Sequence, residues 1–245
     1  MTKRLFETME SRTLMTSVVL ETQIWEQNGE QMEYTTLRIK GTNQQDTISV
    51  IANNVADTDS PGIHIKFGPP NLTILDHVDK IVIESGAGRD NLYVHASGYA
   101  NQGLELEIYG GVGNDQISAA SDSTFWIDGG DGNDTIRNKT DNPGKSGYWL
   151  NGGKGNDMLV GGNTDDVLQG DDGRDLLYGM AGEDWLSGGT GMDTANGGAG
   201  NDYFVINTDK DPDVNILNGG SGWDTLNASG SLPFVSILFS IEEIV

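Results

Sequence analysis

The 245-residue chain lacks cysteine altogether and contains only 14 Lys plus Arg, six Pro and three His. Without cysteine, disulfides and thiolate metal sites are excluded, although a cysteine-free protein can still be exported. No stretch approaches the roughly 20 apolar residues of a membrane-spanning helix, so no transmembrane segment is expected. The longest apolar run near the N terminus, Val18 to Leu20 with Leu14 and Met15 nearby, is too short for the core of a signal peptide.

Acidic residues and glycine dominate what is present. There are 37 Asp plus Glu and 35 Gly, and the formal net charge is -23. This charge argues against nucleic acid or an anionic membrane as the main partner and favours cations. A glycine-rich acidic chain can be disordered, but hydrophobic residues still make up 36% of this one and recur at fixed places between the glycines. The composition therefore favours a folded repeat protein.

A nine-residue repeat runs through the centre of the chain. Each unit begins with glycine and has aspartate at its sixth position and one core-forming residue at its eighth. The six units begin at Gly152, Gly161, Gly170, Gly179, Gly188 and Gly197, and their aspartates are Asp157, Asp166, Asp175, Asp184, Asp193 and Asp202. Their eighth positions are Leu159, Leu168, Leu177, Leu186, Ala195 and Phe204. Each unit thus predicts a glycine turn followed by an inward-facing residue.

Two units match a known consensus at every specified position. Gly152 to Val160 and Gly197 to Val205 both read G-G-x-G-x-D-x-U-x. The tandem block resembles the repeats-in-toxin family, also called the hemolysin-type calcium-binding repeats. The resemblance implies an all-β fold, a parallel β-roll or β-solenoid stacked from calcium-binding nonapeptide turns, with Ca²⁺ as the bound ion.

Isolated copies of the turn lie outside the block and carry Asp90, Asp115, Asp134 and Asp224. Successive aspartates are 25, 19 and 23 residues apart up to Asp157, and Asp224 follows Asp202 by 22 residues. These intervals are close to two nonapeptides, which form one coil of a roll with one unit at each edge. We therefore expect the flanking coils to keep the calcium-type turn at one edge and an ordinary loop, such as residues 121–123 or 140–146, at the other.

Four regions follow from this pattern. Residues 1–34 are predicted to be a leader or sorting segment and cap, and 35–150 degenerate solenoid coils with calcium-type turns mainly on one edge. Residues 151–207 are predicted to be the tandem calcium roll, and 208–245 the last repeat and a C-terminal cap. In the degenerate part, Leu104 to Ile108 and Lys80 to Ile83 alternate as strands do. Gly41 to Asp46 reads as a degenerate copy of the turn or as a turn alone.

The turn has the chemistry that calcium requires. Ca²⁺ takes six to eight oxygens and accepts backbone carbonyls mixed with carboxylates. Glycine permits the curled main chain that aims carbonyls at one centre, and the aspartate adds a carboxylate. Because stacked strands lie about 4.8 Å apart, a same-edge turn 18 residues later can contribute its own aspartate. The pairs expected are Asp157 with Asp175, Asp166 with Asp184, Asp175 with Asp193, and Asp184 with Asp202.

The resemblance adds carbonyls of the glycine and x positions to these carboxylates. The predicted ligand residues are Asp90, Asp115, Asp134, Asp157, Asp166, Asp175, Asp184, Asp193, Asp202, Asp224, Gly152, Gly170, Gly179, Gly188, Gly197, Asn114, Asn133, Asn156 and Asn201. Three departures weaken individual sites: Thr164 replaces the fourth-position glycine, and Asp171 and Met180 replace the second glycine. The loop from Gly161 to Asp166 is therefore the weakest candidate.

Both ends of the chain carry features outside the repeat. Leu5 to Met15 partly resembles the LEPR-XLL motif of large secreted or surface proteins: Glu10, Arg12 and Leu14 agree, whereas Met9 and Ser11 do not. This implies targeting or sorting, with a simple exposed leader as the alternative. The apolar stretch from Leu232 to Val245 predicts a cap over the open last coil, and it also resembles the tail signals of type I secretion.

A catalytic site is not expected. The histidines His64, His77 and His95 form no His-Glu-x-x-His, and the chain has no Gly-x-Ser-x-Gly elbow. We predict a secreted or cell-surface bacterial protein with a non-catalytic structural or adhesive role that folds on calcium, with a polysaccharide or surface protein as partner. The alternative is a calcium-dependent polysaccharide lyase on a β-helix. The five Trp residues fit packing better than a sugar platform.

Overall fold

A computed structural model describes residues 2–5, 17–27, 30–53, 62–66, 72–74, 78–97, 104–122, 124–140, 146–207, 215–229 and 237–245. Every regular element in these ranges is a β-strand. The strands are β1 (Thr2–Leu5), β2 (Ser17–Gln27), β3 (Glu30–Lys40), β4 (Thr47–Asn53), β5 (Gly62–Lys66), β6 (Leu72–Ile74), β7 (Lys80–Glu84), β8 (Asn91–Ser97), β9 (Glu105–Val112), β10 (Gln116–Ser121), β11 (Phe125–Asp131), β12 (Thr135–Asn138), β13 (Ser146–Gly155), β14 (Met158–Gly162), β15 (Asp165–Gly173), β16 (Leu176–Ala181), β17 (Trp185–Thr190), β18 (Thr194–Ala199), β19 (Tyr203–Asn207), β20 (Ile216–Ser221), β21 (Thr225–Ser229), β22 (Ile237–Phe239) and β23 (Glu243–Ile244).

The strands form two sheets that the chain visits alternately. The first sheet has the order β1-β2-β3-β7-β9-β11-β13-β15-β17-β19-β21-β23 among the described residues. The second sheet has the order β22-β20-β18-β16-β14-β12-β10-β8-β4-β5-β6. From β7 onward each strand pairs in parallel with the strand two places later in the chain. The chain therefore winds as a β-solenoid, which confirms the predicted fold class.

The core lies between the two sheets and is built from the eighth position of each unit. Leu159, Leu168 and Leu177 are completely buried, and all six eighth-position residues belong to one continuous core cluster. Alternation continues upstream, where Leu106 and Ile108 point inward from β9. Burying one such side chain stabilises the fold by about 1.5–3 kcal/mol. Each coil thus adds its own share of a linear core.

The two ends of the described solenoid differ. At the N-terminal end, β2 pairs antiparallel with β3, and Val18 and Leu20 join the core. Most of the segment resembling LEPR-XLL, residues 6–16, lies outside the described residues. At the C-terminal end, β22 and β23 pair in parallel with β20 and β21. The described part of the tail therefore adds strands to both sheets, with Phe239 and Ile244 more than half exposed.

Among the described residues there is no helix long and apolar enough to cross a membrane.

Candidate metal centre

Glycine-aspartate turns connect the sheets along two edges of the solenoid. The first edge contains the turns from the first sheet to the second, and the second edge contains the turns in the opposite direction. First-edge turns are Gly41–Asp46, Gly86–Asp90, Gly110–Asp115, Gly129–Asp134, Gly152–Asp157, Gly170–Asp175 and Gly188–Asp193. Second-edge turns are Gly161–Asp166, Gly179–Asp184, Gly197–Asp202 and Gly219–Asp224. The tandem block thus has turns at both edges, whereas the described coils before it have them only at the first.

The sixth-position aspartates form a hydrogen-bonded ladder along each edge. In every step the Oδ1 of one aspartate accepts the backbone N–H of the aspartate one coil earlier. Asp175 accepts from Asp157 at 2.8 Å, and Asp184 accepts from Asp166 at 2.8 Å. Upstream first-edge steps are Asp46 to Asp90, Asp90 to Asp115, Asp115 to Asp134 and Asp134 to Asp157, at 2.6–2.7 Å. The remaining steps between aspartates are Asp175 to Asp193, Asp184 to Asp202 and Asp202 to Asp224, at 2.9–3.0 Å.

In most of these turns the second carboxylate oxygen, Oδ2, makes no hydrogen bond. Within the described residues, Oδ2 is buried and has no hydrogen-bond partner in Asp90, Asp115, Asp134, Asp157, Asp175, Asp184, Asp202 and Asp224. These side chains are at most 2% exposed. A buried acceptor without a partner normally costs about 1–3 kcal/mol, and more when it carries charge. A row of such oxygens is therefore a candidate site for bound cations.

Most of these unpartnered oxygens lie next to a main-chain carbonyl of the following turn. A Cβ on Gly152 would be 2.5 Å from Asp157 Oδ2 and 2.8 Å from the carbonyl oxygen of Gly170. A Cβ on Gly129 would be 2.5 Å from Asp134 Oδ2 and 2.6 Å from the Gly152 carbonyl oxygen. Because Ca²⁺ binds oxygens at about 2.3–2.6 Å, two ligands of one ion lie within about 5 Å of each other. The first-position glycine leaves this shared space open.

Burial makes the aspartates poor acids when no cation is bound. Burial raises the pKa of Asp184 to about 8, and the nearby charges of Asp166 and Asp202 raise it further. It also raises the pKa of Asp115, Asp134, Asp166 and Asp175 to about 7 and of Asp157 and Asp202 to about 6. Desolvation disfavours the charged carboxylate, so a divalent cation between the coils would favour the ionised form of these groups.

In two turns the aspartate Oδ2 accepts a hydrogen bond from a neutral protein group instead. At Asp46, Oδ2 accepts the backbone N–H of Thr42 at 2.6 Å. At Asp166, Oδ1 and Oδ2 accept the Asn138 amide at 3.1 and 3.3 Å, and Thr164 donates to Oδ1 at 3.1 Å. Thr164 is the residue that replaces glycine at the fourth position, and its hydroxyl explains why this turn differs. In these two turns Oδ2 has a neutral donor, unlike the Oδ2 atoms of the eight aspartates named above.

A second ladder runs through the fifth positions and was not anticipated from the sequence. The Oδ1 of Asn114 accepts the N–H of Asn133 at 3.0 Å, and the Oδ1 of Asn133 accepts that of Asn156 at 2.7 Å. Asn156 and Asn201 repeat the contact with Arg174 and Trp223. These side-chain oxygens therefore join coils, which leaves main-chain carbonyls for the predicted x-position ligands. The recurrence of Asn or Asp just before the sixth-position aspartate is the sequence signal.

The two replaced second glycines keep the shape of the turn. Asp171 has φ 73° and Met180 has φ 82°, in the left-handed region that glycine favours. A residue with a side chain pays roughly 1–2 kcal/mol for this conformation. The negative charge of Asp171 also raises the pKa of Asp157 and Asp175, although burial is the larger cause. Asp171 thus adds negative charge beside the first-edge aspartates while its main chain keeps the conformation of the glycine that it replaces.

The outer face of the first sheet carries aromatic side chains beside a cleft. Trp126 and Trp149 are neighbours on β11 and β13, and their ring centroids are 5.2 Å apart with an interplanar angle of 36°. A cleft of about 450 Å³ lies next to the first edge, and its lining includes Asp128, Asn151 and Asp171. The sequence could not place these tryptophans on a common face.

Side chains of the described residues do not by themselves form a metal cluster. Among the described residues, no group of three or more histidine, aspartate or glutamate side chains converges on one point. A calcium shell here must therefore draw most of its oxygens from the main chain, with few carboxylates for each ion. Ca²⁺ accepts such a mixture because it tolerates carbonyls and variable geometry.

Comparison with known families agrees with this geometry. A family model described as RTX calcium-binding nonapeptide repeat (4 copies) matches residues 107–124, 126–142, 149–177, 160–194, 178–205 and 213–230. A comparison with curated proteins finds no match. The matched ranges contain turns of both edges. They also include flanking turns whose aspartates are separated by more than two nonapeptides. The matched ranges therefore carry RTX-type calcium-binding nonapeptide repeats, and the solenoid that contains them is consistent with an RTX β-roll.

Proposed function

We propose that this β-roll is a secreted or cell-surface protein that folds on binding Ca²⁺ and has a non-catalytic structural or adhesive role. The observation that carries the proposal is the row of buried aspartate Oδ2 atoms without hydrogen-bond partners in the described residues. Most of these oxygens border a space shared with a carbonyl of the next turn on the same edge. A divalent cation in that space neutralises the carboxylates and fills their coordination.

The ligand set follows from the contacts between turns. Between Gly152–Asp157 and Gly170–Asp175, the ion takes the Oδ2 of Asp157 and the carbonyl of Gly170, which border one space. The carboxylate of Asp175 approaches from the next coil and is held there by the Asp157 N–H. Main-chain carbonyls of the curled turns supply the remaining oxygens. The same assignment applies to the other predicted pairs, except that Asp166 already has Asn138 and Thr164 as partners.

Several such ions would decide whether the roll is folded. At a dissociation constant of about 10⁻⁴ M, typical of extracellular calcium modules, about 1 mM Ca²⁺ stabilises the fold by roughly 1.4 kcal/mol per site. A few sites together equal the whole stability of an ordinary domain, about 5–15 kcal/mol. At submicromolar calcium this contribution vanishes, and burying these aspartates in their ionised form at neutral pH is unfavourable. The roll is then expected to be unfolded or loose.

A calcium titration followed by circular dichroism and tryptophan emission tests this proposal. Trp223 lies in a second-edge turn, where its backbone N–H donates to Asn201 Oδ1. Its emission therefore reports on folding of that edge. Strand content and emission are expected to change together as calcium rises from the micromolar to the millimolar range. Spectra that are the same in EGTA and in saturating calcium would refute calcium-dependent folding.

An extracellular location and an adhesive role rest on two further points. RTX repeats are typical of proteins that bacteria secrete, and extracellular calcium is high enough to fill sites of the affinity above. The paired Trp126 and Trp149 beside the cleft at Asp128 and Asn151 favour a polysaccharide as partner. A glycan array in calcium buffer distinguishes the roles: binding without product supports adhesion, whereas unsaturated oligosaccharide products would indicate a lyase.

A further inference from the structure

The tail contains a shortened turn that continues the second-edge row. In the last complete nonapeptide turn, the six residues from Gly219 to Asp224 lie between Asn218 of β20 and Thr225 of β21. One coil later, β22 and β23 pair with those strands in register, with Phe239 opposite Asn218 and Glu243 opposite Thr225. Only Ser240, Ile241 and Glu242 lie between them. Three residues thus span the distance that six residues span in the turn before.

Both ends of the short turn make the contacts of a nonapeptide turn. The carbonyl oxygen of Ser240 lies against Gly219, as the carbonyl oxygen of Gly170 lies against Gly152. Glu242 Oε2 accepts the backbone N–H of Asp224 at 2.7 Å, 18 residues away. In the turns before it, this contact is made by the sixth-position aspartate of the next coil. The longer glutamate side chain makes up for the missing residues.

The space between these turns is lined by oxygens. Asp224 is completely buried, and its Oδ2 has no hydrogen-bond partner among the described residues. A Cβ on Gly219 would clash with both Asp224 Oδ2 and the Ser240 carbonyl oxygen, so the two oxygens border one space. The carboxylate of Glu242 approaches the same turn through its bond to the Asp224 N–H. Two carboxylates and a carbonyl are ligands that Ca²⁺ accepts.

We propose that Asp224, Glu242 and the Ser240 carbonyl form a further cation site, which fastens the tail residues 237–245 to the roll when calcium is bound. The site rests on the proposed function, since it uses the same ion as the other turns. It differs from them in two respects. Its second carboxylate comes from a glutamate in a turn that lacks glycine and has three residues where the turn before has six, and Glu242 is exposed. Calcium therefore couples docking of the tail to folding of the second edge.

The full chain with Glu242→Gln tests the site, and Glu243→Gln is the matched control. The glutamine amide keeps an oxygen that can accept the Asp224 N–H, so the substitution at Glu242 removes charge and leaves the hydrogen bond possible. Glu243 is the next residue, is also exposed, and lies in β23 rather than in the turn. Two measurements are made: calcium stoichiometry by calorimetry, and hydrogen exchange of residues 237–245 compared with residues 152–202.

In wild type and Glu243→Gln, calcium is expected to slow exchange in both segments. In Glu242→Gln, the last site is expected to weaken by about tenfold or more, because affinity follows ligand charge. Exchange in the tail then returns toward its calcium-free rate while the central block keeps its protection. Wild-type stoichiometry and tail protection in Glu242→Gln would overturn the inference alone. Absence of calcium uptake by the wild-type chain would overturn the proposed function as well.

Discussion

Asp175 is the position where the contribution of calcium can be separated from that of the hydrogen-bond ladder. Its side chain is completely buried, its Oδ1 accepts the Asp157 N–H at 2.8 Å, and its own N–H donates to Asp193 at 2.9 Å. Asp175→Asn keeps an oxygen for the ladder and removes the charge. Asp175→Ala removes both. Because Asp175 lies between two neighbouring turns, either substitution should weaken two ions.

The expected losses differ between the two variants. Two sites of about 1.4 kcal/mol each give a loss of roughly 3 kcal/mol for Asp175→Asn at about 1 mM calcium. Asp175→Ala also leaves the buried Asp157 N–H without an acceptor, which costs about 1–3 kcal/mol more. Its total loss is therefore roughly 4–6 kcal/mol. The difference between the variants measures the ladder, and the loss in Asp175→Asn measures the ions.

Urea unfolding over a series of calcium concentrations measures both quantities. The slope of the unfolding free energy against the logarithm of calcium concentration reports the number of ions bound, because each occupied site contributes RT per natural-log step. Asp175→Asn should lower this slope by about two ions. Asp46→Asn is the control, since Asp46 is equally buried in the same row but its Oδ2 is bonded to Thr42. An unchanged slope in Asp175→Asn would refute the shared-ion arrangement.

The turn contacts also determine the response to pH and to other substitutions. Without calcium, stability should be greatest below pH about 4 and fall as pH rises to about 8, because burial raises the pKa of Asp184 from 3.8 to about 8. Circular dichroism in EGTA measures this dependence. Loss of structure on acidification from pH 8 to 5 would contradict the prediction. Gly152→Ala should weaken calcium binding, since its Cβ would be 2.5 Å from Asp157 Oδ2; calorimetry with wild-type affinity would count against the shared space. Asn133→Ala should cost about 1 kcal/mol by freeing the Asn156 N–H while leaving calcium stoichiometry unchanged, and a lost ion would assign Asn133 to the metal site instead.

The repeat predicts the fold because period and packing coincide in this protein. Nine residues contain one turn and one inward side chain, so the positions of Leu159, Leu168 and Leu177 define the core directly. The spacing of 18 residues likewise predicts which aspartates are neighbours, as Asp157 and Asp175 are. The antiparallel pairing of β2 with β3 could not be read from a repeat, because it depends on a strand outside the repeat.

Individual sites were harder to predict than the rows. Asn138 satisfies Asp166 from a different coil, 28 residues away, and nothing in the nonapeptide pattern signals this contact. Thr164 was visible as a departure from glycine, but only the structure gives its hydroxyl an acceptor. The turn ending at Glu242 lacks the glycines and the sixth-position aspartate of the repeat, so its relation to Asp224 appears only when the strands are in register, although Glu242 follows Asp224 by 18 residues.

The first-edge ladder is insensitive to how much chain separates its steps. Asp46 and Asp90 are 44 residues apart, Asp90 and Asp115 are 25 apart, and Asp157 and Asp175 are 18 apart, yet the bonds measure 2.6, 2.7 and 2.8 Å. Part of the additional chain between Asp46 and Asp90 forms β5 and β6 of the second sheet. The number of residues between successive aspartates can therefore vary widely while the hydrogen bonds that join them stay the same.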